Sequence, residues 1–383
     1  MCGEVGVEFL VFLCLLTLFY IYLGYQLILS LFVVISRKKI SYVPEAFYPR
    51  ITVLVTVFNE AGQILDKIKN ILACDYPEER LEILVASDGS NDGTDELVKG
   101  FDHPSVLLFR PGKRKGKTDT QNQAIKTATG DIIIFTDADT RFSKKFLREI
   151  VSPFSNKAIG GVDGHLLFRR VSGNEISESQ SLYWMQELKI RELESELGIL
   201  AVASGACMAV MKELIGEMAV EVGEDCQLPL EVVSRGYKMV HVNEAIAWDE
   251  MPSSPKGEFK TRVRMTQRNW QGTWLYPELL NPLKNPGYAW ALWSHKILRW
   301  LSPFFFFPWI LMSLMLVFRG WHNLWIAMPG IAFFICSVSG VILKRFGKQL
   351  PGSGFLWSFT LANCGFLVGV LKGIIGSRIV TYR

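Results

Sequence analysis

The chain has 383 residues, 49% of them hydrophobic, and a formal net charge of +4. A balance that mild excludes the strongly basic footprint of a nucleic-acid binder. Its seven cysteines stand singly, without a C-x-x-C pair, so neither a disulfide framework nor a zinc site is expected.

The apolar residues are unevenly spread. Phe9 to Ile35 holds no charged residue over 27 positions, enough to cross a hydrocarbon core of roughly 30 Å. Glu4 and Glu8 precede this run and Arg37, Lys38 and Lys39 follow it, the reverse of a cleaved leader. Positive-inside asymmetry places the following residues in the cytosol. Residues 1–44 are therefore expected to be a transmembrane anchor with its linker, "KKISYVPEAFYPR" marking the exit.

Residues 45–285 change character. "ITVLVTVF", "LEILVASD", "SVLLF" and "DIIIFTD" read as strands, with helical stretches at Glu60 to Ala73, Thr94 to Gly100 and Thr118 to Thr129 between them. Such alternation predicts a doubly wound, mostly parallel sheet with helices on both faces. Polar residues gather where these strands end: Asn59-Glu60, "SDGSNDGT", and Asp137 with Asp139. Ligands of open α/β sheets lie at that edge. Two carboxylates one residue apart repel unless a cation lies between them, and a magnesium ion held by one or two carboxylates takes its other ligands from substrate phosphates. A solvated aspartate turn is the plain alternative.

Residues 286–383 turn apolar again. "GYAWALWSHKILRW" mixes tryptophans with His295, Lys296 and Arg299, as a helix in the headgroup layer does. Leu301 to Phe318, Trp321 to Leu343 and Phe355 to Ile375 follow as about three candidate spans. Lys344, Arg345 and Lys348 mark a cytosolic loop, whereas Asn363 and Lys372 interrupt the last span and Arg378 and Arg383 would end on the outer side. A multi-pass protein of the cell membrane with a cytosolic middle domain is expected, in contact with membrane lipids. "PELLNPLKNPG" reads as the linker before this block.

Two nucleotide-binding architectures compete for the middle region. "RPGKRKGKT" resembles a phosphate-binding P-loop of an NTPase or transporter component, but only three residues separate Gly112 from Gly116 where four are needed. That reading also leaves Glu60 and Asp88 without a role.

The second architecture uses more of the chain. "VFNE", "SDGSNDGT", "GKTDTQNQAIKTATGDIIIFTDAD", "SGACMAV" and "GEDCQLPLEVVSRGYK" occur in that order and resemble the family 2 glycosyltransferases of GT-A fold. That family includes cellulose, chitin and hyaluronan synthases and many non-processive enzymes. The resemblance covers about Tyr48 to Trp274. It implies an inverting, metal-dependent hexosyltransferase moving a sugar from a nucleotide-sugar, a UDP-sugar in this reading, to a lipid-linked or membrane-presented glycan.

The resemblance also implies roles. Glu60 and Asp88 match contacts to the base and ribose of the donor, and Lys117 a basic residue near the nucleotide; Lys113, Arg114 and Lys115 beside it read as a solvated basic loop. Asp137 and Asp139 match the D-x-D that holds Mg2+ or Mn2+ against the donor diphosphate, Asp137 also meeting the donor. Asp225 matches the general base, with Glu224 before it, and Gly205 in "SGACM" allows close backbone approach to sugar or acceptor. Processive members carry Q-x-x-R-W, whereas this chain has "RVRMTQRNWQGTW". Trp270 can be aligned with its tryptophan, but Asn269 and Thr266 replace the arginine and glutamine. Arg264 and Arg268, four residues apart on a helix, are candidates for clamping the diphosphate. The partial motif favours addition of one sugar, with processive polysaccharide synthesis as the alternative.

Overall fold

The computed structural model describes residues 4–36, 47–169, 175–250, 255–317, 324–346 and 352–377. The expected basic exit at Arg37 to Lys39, the linker through residue 46, Lys348, Arg378 and Arg383 lie outside them.

Eight strands form one sheet: β1 Ile51–Val57, β2 Leu81–Ser87, β3 Val106–Phe109, β4 Ile132–Thr136, β5 Arg141–Phe142, β6 Ile159–Arg169, β7 Met208–Met211 and β8 Lys238–Glu250. Their order across the sheet is β3-β2-β1-β4-β7-β6-β8-β5. The first four strands are mutually parallel, as the sequence predicts. Beyond β4 the sheet becomes mixed: β7 is antiparallel to both β4 and β6, and β6 is parallel to β8. The chain moves outward from β1 through β2 to β3 and then returns to β4 on the other side of β1. The β1–β4 boundary is thus a topological switch point, where a crevice opens outside the strand ends.

Alternation along the strands builds two cores. Val53, Val55, Ile132 and Ile134 face one; Leu54, Ile133 and Phe135 face the other. Each such buried aliphatic side chain contributes about 1.5–3 kcal/mol.

The helices are α1 Glu4–Phe19, α2 Tyr25–Ser36, α3 Ile64–Leu72, α4 Thr94–Lys99, α5 Lys117–Thr127, α6 Phe146–Val151, α7 Glu175–Leu197, α8 Glu224–Ser234, α9 Pro255–Thr273, α10 Pro286–Ala291, α11 Leu298–Leu301, α12 Pro303–Val317, α13 Leu324–Arg345 and α14 Ser353–Ile374. Residues Gly6–Ser36, joined through a π-turn at Tyr20–Gly24, and α14 are long and apolar enough to cross a membrane. Pro286–Leu301 and Pro303–Val317 meet that standard only as a pair bent by 47°. The apolar part of α13, Trp325–Gly340, is shorter than a span requires. Where the sequence reads four separate spans, the described residues hold two helices able to cross a membrane, or three if the bent pair is one span.

Two expected surface segments are packed inward. The linker "PELLNPLKNPG" buries Leu279 and Leu280 in the second core. In the expected headgroup-layer helix, His295 and Arg299 are 1% and 3% exposed. They face α7, not a lipid surface: His295 lies 2.9 Å from both Glu187 and Glu194, and Arg299 Nη1 lies 2.9 Å from Glu187 Oε2. Burial would raise Glu187, but His295, Lys296 and Arg191 hold its carboxyl well below the usual range. The Tyr25 hydroxyl donates to Glu194, so this buried polar network ties the first apolar helix to the sheet domain.

Candidate active site

At the end of β1 the chain turns through Asn59, whose φ of 60° is left-handed, a region asparagine tolerates better than most residues. "SDGSNDGT" holds this turn. Asn59, Glu60 and Ala61 donate backbone N–H groups to Ser90 Oγ, Thr94 Oγ1 and Asp92 Oδ2 at 3.0, 2.9 and 3.0 Å. The motif therefore acts as a clasp that fixes Glu60 at the rim of the crevice. Burial, then Asp139 and Asp137, push the Glu60 carboxyl up.

Asp88 serves the next loop. Its Oδ1 accepts from the backbone of Lys115 and Gly116, at 2.9 and 3.0 Å, and from Thr120 Oγ1 at 3.1 Å. The N–H groups that a P-loop would offer to phosphate are thus turned onto a carboxylate of the protein itself, against the P-loop reading. Arg114 is not simply part of a solvated loop: its guanidinium lies 3.5 Å over the Phe58 ring and its Nε 3.6 Å from Asp88.

At the end of β4, Asp137 is half-buried and Asp139 opens into the crevice. Crowding by the surrounding protein and then the Asp137 charge push the Asp139 carboxyl up. Beneath them lies Lys67, 0% exposed, donating to Thr136 Oγ1 and the Thr140 carbonyl at 2.8 and 2.7 Å. Its ammonium stands 3.9 Å over the Phe142 ring. Lys67 pins the strand end and the turn after it, the two sides of the D-x-D.

Opposite, Gly223 caps α8 with φ 89°, and its missing Cβ leaves room for the Arg268 guanidinium. Arg268 donates to the Val222 carbonyl at 2.6 Å. The first turn of α8 presents Glu224 and Asp225. Burial and Glu224 push the Asp225 carboxyl up. Burial alone would raise Glu224 as well, but Lys117 and Arg268 outweigh it and hold Glu224 below its usual range. A Cβ on Gly205 would meet Glu224 Oε1 at 2.9 Å, so the small residue in "SGACM" is needed to admit that carboxylate. Lys117 Nζ lies 2.7 Å from both Asp137 Oδ1 and Glu224 Oε1, linking the D-x-D side of the crevice to the α8 side.

These groups line one cleft of about 550 Å³. It brings together Glu60, Asp88, Lys117, Asp137, Asp139, Gly205, Glu224, Asp225, Arg264 and Arg268. Trp270 is outside it, packed against Trp274, Trp300 and Gly373. Phe58, Arg114, Trp184 and Asp249 line the cleft without having been singled out as site residues from the sequence. Trp184 and Asp249 come from α7 and the end of β8, for which no motif signal exists.

Among the described residues no three His, Cys, Asp or Glu side chains converge into a metal cage. Asp137 and Asp139 offer two carboxylates in an electronegative pocket. That set fits a hard divalent ion completing its shell with ligand phosphates, and does not fit a structural zinc.

Residues 52–219 match the family described as Glycosyl transferase family 2. They form a family 2 glycosyltransferase domain. The chain is similar to a poly-beta-1,6-N-acetyl-D-glucosamine synthase of Staphylococcus aureus (strain MSSA476), 27% identical over 224 residues, 57% of this chain and 54% of the relative. It is also similar to the probable glycosyltransferase YdaM of Bacillus subtilis (strain 168), 25% identical over 242 residues, 58% of this chain and 55% of that protein. The aligned part of the chain spans about half the length of the curated relatives it matches. Among solved structures, the mannosyltransferase PcManGT from Pyrobaculum calidifontis, in complex with GDP-Man and Mn2+, superposes with TM-score 0.75 at 21% identity, covering 97% of this chain and 100% of that one. That likeness places the sheet in the GT-A fold and extends to the helices around it.

Proposed function

We propose that the protein is an inverting, metal-dependent glycosyltransferase that moves one sugar from a nucleotide-sugar to a hydroxyl of a lipid-linked or membrane-presented acceptor. The observation that carries this reading is the facing of Asp137 and Asp139 across a single cleft from Asp225, with Lys117 between the two sides. Asp137 and Asp139 would hold Mg2+ or Mn2+, which when bound stabilises the charge of the leaving diphosphate. Lys117 adds a cation beside it, and Arg264 and Arg268 enclose the cleft from α9. The acceptor hydroxyl gives its proton to Asp225 as its oxygen bonds to the anomeric carbon and the bond to the diphosphate breaks. A carboxyl that burial and then the Glu224 charge push up holds a transferred proton better than a free aspartate does.

Glu60 and the Phe58–Arg114 pair form the donor end in this reading, and Asp88 acts there through the Lys115–Gly116 loop it fastens. A UDP-sugar is the first donor to test. GDP-mannose is the second, because the structurally similar mannosyltransferase carries it. The catalytic domain faces the cytosol, where nucleotide-sugars are made. Processive synthesis is the second reading, favoured by relatives named as polysaccharide synthases.

The test is turnover of UDP- and GDP-sugars by the detergent-solubilised full chain with manganese or magnesium and extracted membrane lipids. Inversion at the anomeric carbon, read by NMR, and a product one sugar longer are expected. Retention of configuration refutes the mechanism; a ladder of products selects the processive reading.

A further inference from the structure

Two more cavities continue from the catalytic cleft toward the apolar helices. The first, about 190 Å³, shares Phe168, Trp184 and Met265 with the cleft wall. Four cationic side chains line it, Arg191, Arg262, Lys296 and Arg299, against one carboxylate, Glu187. Arg191 is held by Asp163 and Glu187 at 3.2 and 3.1 Å. Glu187 must also serve His295, Arg299 and Lys296. One carboxylate of the described lining is therefore shared among several of its cations.

Arg299 shows where that charge is directed. It is 3% exposed, and its Nη1 donates to Glu187 Oε2 and Tyr183 Oη at 2.9 and 3.3 Å. Its Nε and Nη2 meet no acceptor among the described residues. A buried guanidinium with two unspent donors is costly unless an acceptor arrives, and these two are arranged as the fork that meets phosphate oxygens.

The second cavity, about 580 Å³, shares Tyr183, Arg262 and Phe366 with the first. Its wall comes from the apolar helices, with Leu18 of α1, Phe306 of α12, Phe333 of α13 and Phe359 of α14. A glycan passing through would leave its hydroxyls facing hydrocarbon. A lipid chain would match it.

Taking the transferase reading as given, we propose that these cavities hold the acceptor as a phosphate-bearing lipid. Its phosphate meets Arg299, Arg262 and Lys296, its hydrocarbon lies in the aromatic chamber, and its hydroxylated headgroup reaches along the shared wall to Asp225. The headgroup oxygen bonds to the anomeric carbon, its proton passes to Asp225, and the nucleotide diphosphate leaves with the electron pair of the broken bond. The phosphate is an anchor and takes no part in bond exchange.

The probe is labelled hexadecyl phosphate, retained by the full chain in a neutral detergent, against hexadecanol and inorganic phosphate. Wild type should bind hexadecyl phosphate at least 10-fold more tightly than either fragment. Arg299→Gln and Lys296→Gln should each weaken it at least 10-fold, and Phe359→Trp, which narrows the chamber, should weaken it as well. If Arg299→Gln does not fold, the other two variants decide. Equal binding of hexadecanol, or retention unchanged in monodisperse variants, overturns the proposal. Nucleotide release from donors by the same wild-type preparation separates the two claims. Release without probe binding refutes the lipid site alone, and probe binding without release refutes the transferase reading alone.

Discussion

Replacing Lys67 with methionine should change stability in a way that depends on pH. The lysine is fully buried, and burial, then the charge of Arg141, pull its ammonium down to about 7. An unfolded chain would hold that proton to the ordinary lysine value of about 10.4. Between these values the unfolded state binds more protons, so wild-type stability rises with pH at about 1.4 kcal/mol per unit, to at most about 5 kcal/mol. Below the folded value both states are protonated and the contribution is flat. Lys67→Met removes the buried charge but strips a donor from Thr136 Oγ1 and the Thr140 carbonyl, each costing about 1–3 kcal/mol. Near pH 7 the opposing terms come close to cancelling. By pH 9 the charge term has fallen to about 2 kcal/mol and the lost hydrogen bonds dominate. The variant should therefore lose about 2 kcal/mol relative to wild type between pH 7 and 9. Thermal unfolding of the detergent-solubilised full chain by intrinsic fluorescence reads this as a widening Tm gap. A gap constant from pH 7 to 9 would refute the reasoning.

Three further outcomes are expected. Glu224→Gln removes the charge that helps raise Asp225, so the acid limb of kcat/KM, where the base becomes protonated, should move to lower pH; an unmoved or higher limb contradicts the coupling. Gly205→Ala places a Cβ 2.9 Å from Glu224 Oε1 and should cut turnover at least ~10-fold with Tm nearly unchanged; wild-type turnover would show that the close approach is not needed. Chelation with EDTA should abolish transfer, and manganese or magnesium should restore it; full activity after chelation would remove Asp137 and Asp139 from a metal role.

The parallel half of the sheet was legible because β1, β2 and β4 are nearly uninterrupted apolar runs ending in polar clusters, the signature of strands buried on both faces. The mixed half was not: β7 has only four residues and β5 two, too short for a periodic signal. The motifs located ten of the eleven proposed site residues in the cleft, because sequence-local signals mark the loops after these strands. Trp270 lies outside the cleft for a tertiary reason, since its face of α9 is covered by α14. Lys67 lay hidden in an amphipathic helix, where a lysine reads as a solvated residue. The polar network around Glu187 and His295 joins positions more than one hundred apart in the chain, and no local pattern encodes such a partnership. The bend between α11 and α12 likewise split an expected interfacial helix and span into one broken segment whose polar residues face α7.

The central claim is tested most directly by nucleotide release from a panel of UDP- and GDP-sugars, comparing wild type with Asp139→Ala and Asp225→Asn. Metal-dependent release from one donor by wild type, lowered by about 10²–10⁴ in Asp225→Asn and lost in Asp139→Ala, is the expected result. Release at the wild-type rate by both variants, or no release from any donor with acceptor membranes present, would contradict it.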